Sequence, residues 1–219
     1  MNLGIIADGN RRWAKSKNLS VDKGHQKGFE VITNEVLTAC IKNETCTALT
    51  VYGFSTENWK RSPLEIANLM KIYLEMCNAW EDLFKNTPVK LVWCGRRDRL
   101  NSILKNKLEA IEKQTAHVKS FTLYLCLDYG GHDEIQRAIE KAMRAGEENI
   151  SENFTKYLEV PPLDIIVRTG GEQRLSNFCV WQSAYAELFF VDKFLPELLE
   201  SDVETILLDF KNRDRRKGK

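Results

Sequence analysis

A strand-length apolar run that breaks into a charged or glycine-rich turn recurs along this chain, and that repeat limits its fold more than any other feature. Leu3 to Ala7 is the first such run and stops at Asp8-Gly9-Asn10. Its length suits a buried strand. Glycine accepts positive φ, and Asp and Asn bond their own backbone, so the break reads as a turn. Ala48 to Phe54 ends in Ser55-Thr56-Glu57-Asn58, Val89 to Cys94 in Gly95-Arg96-Arg97-Asp98, and Phe121 to Leu127 in Asp128-Tyr129-Gly130-Gly131. Asp164 to Arg168 runs into Thr169-Gly170-Gly171-Glu172, and Glu187 to Val191 reads as a sixth strand.

Helical patterns separate these runs. Arg12 to Lys17 predicts a short helix, followed by a polar loop over Asn18 to Lys23. Gly24-His25 opens a helix to about Ile41, with Phe29, Ile32, Val36, Leu37 and Cys40 on one face. Pro63 is well placed to start the next. Its apolar positions over Leu64 to Trp80 are wider than one stripe, so it meets more than one apolar neighbour. Core packing explains that width, and so does one wall of a hydrophobic tunnel. Further helices are expected over roughly Arg99 to Gln114 and from about Glu134 to Ala145. Strands alternating with helices predict an α/β fold: a central, mainly parallel, six-stranded sheet flanked by helices, in a single domain spanning residues 1–219.

Composition narrows the function. Lys and Arg total 32 against 31 Asp and Glu, a net charge of +1, which argues against a general nucleic-acid binder. Any anion site must come from local clusters of arginine. The six cysteines contain no CxxC pair, so neither a zinc site nor a redox motif is indicated, and reduced thiols in a cytoplasmic protein are expected. No apolar run reaches the ~20 residues of a membrane-spanning helix, and no signal peptide is visible.

The polar strand ends gather the chemistry: Asp8, Asn10, Arg11 and Arg12; Ser55, Glu57, Asn58 and Arg61; Arg168, Arg174 and Ser176. In open α/β sheets ligands sit where strands end, and Arg is the side chain for bidentate contact with phosphate. Three arginine clusters on one edge could hold two phosphorylated groups, with Asp8 and Glu187 as oxygen ligands for Mg²⁺. Each arginine taken singly also reads as a surface salt bridge.

The segments DGNRRWA, GFSTENWKRS, CGRRD, DYGGHDE and DIIVRTGGEQRLSNFCVWQSAYAELFF together resemble the cis-prenyltransferases, whose best-known members are the undecaprenyl diphosphate synthases. The likeness runs from Leu3 to about Gly218. It implies an enzyme that joins isopentenyl diphosphate to an allylic diphosphate (farnesyl or geranylgeranyl), making Z double bonds. The implied product is an undecaprenyl-type lipid carrier for glycans. The resemblance makes Asp8 the residue that works with Mg²⁺ on the allylic diphosphate, with Gly9, Asn10, Arg11 and Arg12 as the holding loop and Trp13 and His25 beside it. Ser55, Thr56 and Glu57 match a substrate-contacting turn, followed by Asn58, Trp59 and Arg61, with Asn58 tied to proton loss. An amide is a poor base, so a diphosphate oxygen is a better acceptor, with Asn58 orienting the groups. Arg168, Arg174, Leu175 and Ser176 match the isopentenyl diphosphate site. Glu187 matches an acid that in dimeric members helps hold the metal, and Arg216-Lys217-Gly218 matches a tail motif. The likeness further implies a homodimer, a tunnel between the sheet and the two early helices, and a product delivered to a membrane by a cytoplasmic enzyme peripheral to its inner face.

The chain departs from the family pattern at several points. Val21 stands where many members carry arginine, with Lys23 the nearby cation. Arg11 replaces a common glycine, and Asn2 a common histidine. The amphipathic leader of many members is not seen, so membrane contact is expected on another surface. Small Gly53 beside Phe54 leaves a channel unplugged there and points to a medium or long product. The same chemistry stopped at a short Z-prenyl diphosphate, a non-catalytic partner subunit, and an unrelated phosphate-binding module are the rival readings.

Overall fold

The computed structural model describes residues 1–215. The expected tail motif, Arg216-Lys217-Gly218, lies outside the described residues. In chain order come β1 (Asn2–Ile6), α1 (Asn10–Ser16), α2 (Val21–Val31), a π-helical segment (Ile32–Leu37), α3 (Thr38–Lys42), β2 (Ala48–Ser55) and α4 (Pro63–Leu83). Then follow β3 (Val89–Cys94), α5 (Ser102–Thr115), β4 (Phe121–Tyr129), α6 (Gly131–Arg144), α7 (Ile150–Asn153), β5 (Ile165–Arg168), β6 (Glu187–Phe190) and α8 (Glu200–Asn212). The six strands form one sheet in the order β3-β4-β2-β1-β5-β6. Every neighbouring pair is parallel, so the expected sheet is present and wholly parallel.

Period-two alternation divides the strand side chains between two cores. Leu3 and Ile5 of β1, Leu49 and Val51 of β2, and Ile165 and Val167 of β5 join a large cluster with the helices α2 to α5 and α8. Ile6, Tyr52 and Ile166 point the other way and pack with Phe178 and Cys179. All six cysteines are free and buried.

The alternation breaks once where it matters for the site. Val51 and Phe54 lie on the same face of β2, although three residues apart. The pairing with β4 slips between Tyr52 and Phe54. Gly53 is therefore the extra residue of a bulge, the usual reason for a glycine inside a strand.

The second helix ends near Lys42, as expected, but differs at its start and in its middle. It begins at Val21 rather than Gly24, because the Ser20 side chain caps it by accepting from Lys23 N–H. Beyond Val31 it continues in π form. There the Thr38 hydroxyl donates to Thr33 C=O at 3.4 Å, five residues back. Further along, Asn101 caps α5 by accepting from Leu104 N–H at 2.9 Å, so Arg99 stays outside the helix and pairs with buried Asp128.

Candidate active site

The ends of β1, β2 and β5 meet at one edge of the sheet, as the recurring polar turns predict. Gly9 takes φ 103°, and a side chain there would strike Phe194, so the turn after β1 requires glycine. It places Asn10 at the start of α1, against a seat on α2 made by Gly24 and Gly28. A Cβ at Gly24 would lie 2.3 Å from Asn10 O, and one at Gly28 would lie 2.4 Å from Asn10 Oδ1. The two glycines bring α2 close enough to fix Asn10.

Asp8 sits in a ring of donors. Its Oδ2 accepts from Arg168 Nη2 at 3.0 Å, and its Oδ1 lies 3.2 Å from Arg12 Nη2 and accepts from Gly9 N–H at 2.6 Å. The Thr169 hydroxyl accepts from Asp8 N–H at 3.0 Å and donates to Asp8 C=O at 2.7 Å, and Leu195 N–H donates to the same carbonyl. Arg168, only 5% exposed, also donates to Arg174 C=O at 2.5 Å and to Ser176 Oγ at 2.8 Å.

Two hollows open around this ring. The inner cavity, about 240 Å³, has a polar mouth that includes Asp8, Ser55, Asn58, Arg168 and Ser176 and an apolar interior that includes Ile32, Val51, Leu69 and Tyr73. The outer cleft, about 680 Å³, carries Arg11, Arg12 and Lys15. Asp8, Asn10, His25 and Arg61 line both hollows and so form the wall they share. Three buried polar atoms of the site have no protein partner: Asn10 Oδ1, His25 Nε2 and Arg168 Nε. Buried polar atoms are nearly always bonded, so the free Arg168 Nε–H donor suits an anionic ligand, whereas Asn10 Oδ1 can only accept. Burial, and after it the Arg61 guanidinium, lowers His25 to about 4, so its ring is neutral at pH 7.

The Prenyltransf family model, described as "Putative undecaprenyl diphosphate synthase", matches residues 6–218. The chain belongs to this family of prenyltransferases. It is 37% identical to the isoprenyl transferase of Wolinella succinogenes over 220 residues, covering 99% of this chain and 96% of the relative. Its fold is similar to that of a probable undecaprenyl diphosphate synthase from Campylobacter jejuni, with TM-score 0.86, 30% identity and coverage of 100% and 98%. It is also similar to lavandulyl diphosphate synthase from Lavandula x intermedia, solved with dimethylallyl diphosphate, with TM-score 0.92, 29% identity and coverage of 100% and 98%.

In this prenyltransferase the expected residues fall into three groups. Asp8, Asn10, His25, Ser55, Asn58, Arg61, Arg168 and Ser176 line the inner cavity, and Gly9, Arg11 and Arg12 line the outer cleft. Arg11 and Arg61 share Glu65, at 3.6 Å and 3.2 Å. A second group lines neither hollow. Trp59 Nε1 donates to buried Asp128 at 2.8 Å and holds the turn that carries Asn58. Thr56 donates to Glu57, which accepts from Asn177, tying the turn after β2 to the loop after β5. Trp13 lies on α1, and Leu175 packs on the second core. Arg174 is 59% exposed and its guanidinium pairs with Glu172, so it serves the site through its carbonyl.

Glu187 is the third case. It starts β6, level with Ile165, whereas Asp8 follows Ile6, which is level with Arg168. The backbones of the two residues are thus offset by roughly 15 Å along the strands. Glu187 accepts from Arg213 at 2.8 Å. One chain does not bring Asp8 and Glu187 together.

For a metal, the donor set is one carboxylate. Among the described residues no group of three His, Cys, Asp or Glu could cage an ion. Asp8 alone faces the hollows, which fits Mg²⁺ held jointly with substrate phosphates and water.

Asn58 Oδ1 accepts from Ser55 N–H at 3.1 Å. A backbone N–H can only donate, so the amide is fixed with its NH₂ as the remaining end. Sequence reasoning gave no role to Thr169, although it lies in one of the segments that carry the resemblance, nor to Leu195, which carries no motif; both fix Asp8 from far along the chain.

Proposed function

We propose that this enzyme condenses isopentenyl diphosphate with an allylic diphosphate to give a Z-prenyl diphosphate. The observation that carries the reading is the shared wall of Asp8, Asn10, His25 and Arg61, with arginines on both sides and an apolar interior behind it. Two anionic heads fit the two hollows, and a hydrocarbon tail fits the interior, where each buried CH₂ gains ~0.8 kcal/mol.

Ionisation of the allylic diphosphate leaves a carbocation and a polyanion. Arg12, Arg61 and Arg168 are already positioned by ion pairs, so they receive the developing charge with little rearrangement. Mg²⁺, when bound with Asp8, would neutralise part of the departing diphosphate. Neutral His25 offers a hydrogen bond to a phosphate oxygen without titrating. Asn58 presents donors, so the proton lost after attack by the isopentenyl alkene goes to a diphosphate oxygen.

Product length has two readings. The long, undecaprenyl-type glycan carrier is supported by the family model's description and the Campylobacter jejuni relative, and a short product by the lavandulyl diphosphate synthase relative and the small inner cavity. The partner-subunit reading is disfavoured by the assembled Asp8 ring.

The outer edge of β6 exposes Leu188 and Phe190, with Trp181 and Tyr185 exposed in the loop before it. This apolar edge supports a homodimer, with Glu187 lying in it. Among the described residues no helix is long and apolar enough to cross a membrane, and delivery of product to a membrane belongs to the same proposal. Purified protein given isopentenyl diphosphate, farnesyl diphosphate and Mg²⁺ tests the reading by product mass. No incorporation refutes it.

A further inference from the structure

Glu57 lies in the turn after β2 but lines neither hollow. Its partner gives it a place. Asn177 Nδ2 donates to Glu57 Oε1 at 2.9 Å, and Asn177 Oδ1 accepts from His132 N–H at 3.0 Å. A carboxylate only accepts and a backbone N–H only donates, so both ends of the amide are assigned by their partners. The Asn177 carbonyl also accepts from Gly131 N–H at 2.7 Å. One residue therefore clasps two other elements, the turn over Thr56–Lys60 and the start of α6. Burial pushes the Glu57 carboxyl up, but hydrogen bonds led by that of Asn177 outweigh it and hold the group below its ordinary value.

The backbone bends to make this clasp. Ser176, Asn177 and Cys179 take φ of 50°, 63° and 44°. Side chains avoid that region, and Asn is among the few that enter it readily. Such conformations persist where the surroundings hold them. The facing chain is correspondingly small. A Cβ on Gly130 would lie 2.7 Å from Asn177 Nδ2 and 2.8 Å from Thr56 Oγ1, and one on Gly131 would lie 2.8 Å from Val180 N.

The clasp joins two sides of the inner cavity's mouth. Ser176, which precedes Asn177, lines it together with Arg168, and so does Asn58, which follows Glu57. Each side has its own anchor. The Tyr52 hydroxyl donates to Ser176 C=O at 3.2 Å, and Trp59 ties its turn to Asp128. Among the described residues, the Asn177–Glu57 bond is the one hydrogen bond that runs directly between the two sides.

We infer that Asn177 is a positioning residue for prenyl transfer. Acting through Glu57, it sets Asn58 at its working distance from Ser176 and Arg168, and so from the isopentenyl diphosphate matched to them. The inference rests on the prenyl-transfer reading above. It gives Glu57 a role that needs no contact with substrate.

The test exchanges donor and acceptor. Asn177→Asp keeps the acceptor for His132 N–H but replaces the donor to Glu57 with a second carboxylate oxygen. Adding Glu57→Gln restores a donor from the opposite side, while the remaining oxygen still accepts from Thr56. The full chain is assayed with isopentenyl diphosphate, farnesyl diphosphate and Mg²⁺, each substrate varied in turn. In Asn177→Asp, kcat/KM for isopentenyl diphosphate falls by about 5-fold, equivalent to one ordinary hydrogen bond. KM for farnesyl diphosphate holds, because neither residue touches the outer cleft. The double variant recovers most of the loss. A bond that served stability alone would lower Tm and leave the kinetics of the folded enzyme unchanged. Wild-type kinetics in folded Asn177→Asp, or a double variant no better than the single one, overturn the inference and leave prenyl transfer intact. Failure of wild type to incorporate any isopentenyl unit refutes prenyl transfer, and the positioning role with it. Should Asn177→Asp not fold, Glu57→Gln alone sets donor against donor and decides by the same kinetics. A loss confined to isopentenyl diphosphate supports the inference, and no loss overturns it.

Discussion

Arg168 and Asp8, 160 positions apart in sequence, share a hydrogen bond of 3.0 Å across the ends of two adjacent parallel strands. That pair joins the turn matched to the allylic site with the strand matched to the isopentenyl site. In the proposed function each substrate head would therefore be held beside the other's anchor.

Asp8→Asn keeps the shape of the ring and removes its charge. Turnover is expected to fall by about 10²–10³-fold, the loss typical of one preorganised electrostatic contact. Far-UV circular dichroism should be unchanged. Near-normal activity would remove Asp8 from the reaction.

Arg168→Lys keeps a positive charge but loses the fork that reaches Asp8, Ser176 and Arg174 C=O together. A charge-assisted bond is worth ~1.5–3 kcal/mol, so KM for isopentenyl diphosphate should rise by about 10- to 100-fold. Steady-state kinetics with each substrate varied separately reads the effect. A rise confined to the allylic substrate would mean the two sites are exchanged.

His25 makes the fold acid-sensitive. Its pKa is about 4 folded against 6.5 for an unhindered imidazole. Between those values the unfolded chain takes a proton that the folded chain refuses. Stability is therefore full above pH 6.5 and falls as pH drops towards 4, by up to about 3 kcal/mol. Urea melts of wild type and His25→Gln across this range should converge as acid is added. An NMR titration should leave the His25 signal unmoved from pH 8 to 5.5.

The two glycines under Asn10 separate stability from activity. In Gly24→Ala the new methyl meets the Asn10 backbone carbonyl, which cannot yield without moving α1. A loss of ~1–3 kcal/mol is expected, read as a lower Tm. In Gly28→Ala it meets only the Asn10 side chain, so Tm should hold while kcat/KM drops. The same Tm loss in both would show that Asn10 is held by something other than this seat.

Much of this arrangement was legible because strands and turns are local signals. Five apolar runs ending in charge or glycine, with Glu187 to Val191 as a sixth strand, gave the sheet and its polar edge, and the arginine clusters there gave an anion site. The fates of individual side chains were not legible. Arg174 looks like Arg168 in sequence, yet only Arg168 points inward, because its strand carries it beside Asp8. Gly53 reads as empty space until its bulge shows a carbonyl taken by Tyr73, twenty residues away. The π-helical turn after Val31, where the Thr38 hydroxyl bonds back to Thr33 C=O, is announced by no periodicity.

The order in which this sheet is laid down carries a last consequence. β1 leaves the ribosome first, but one of its two neighbours, β5, is made only after residue 165. Until then the first strand has an open side, and the nascent chain has no Arg168 to set against Asp8. A polypeptide cut short anywhere before β5 therefore leaves its first strand half-paired and its Asp8 without Arg168, so the site assembles only once that strand has been made.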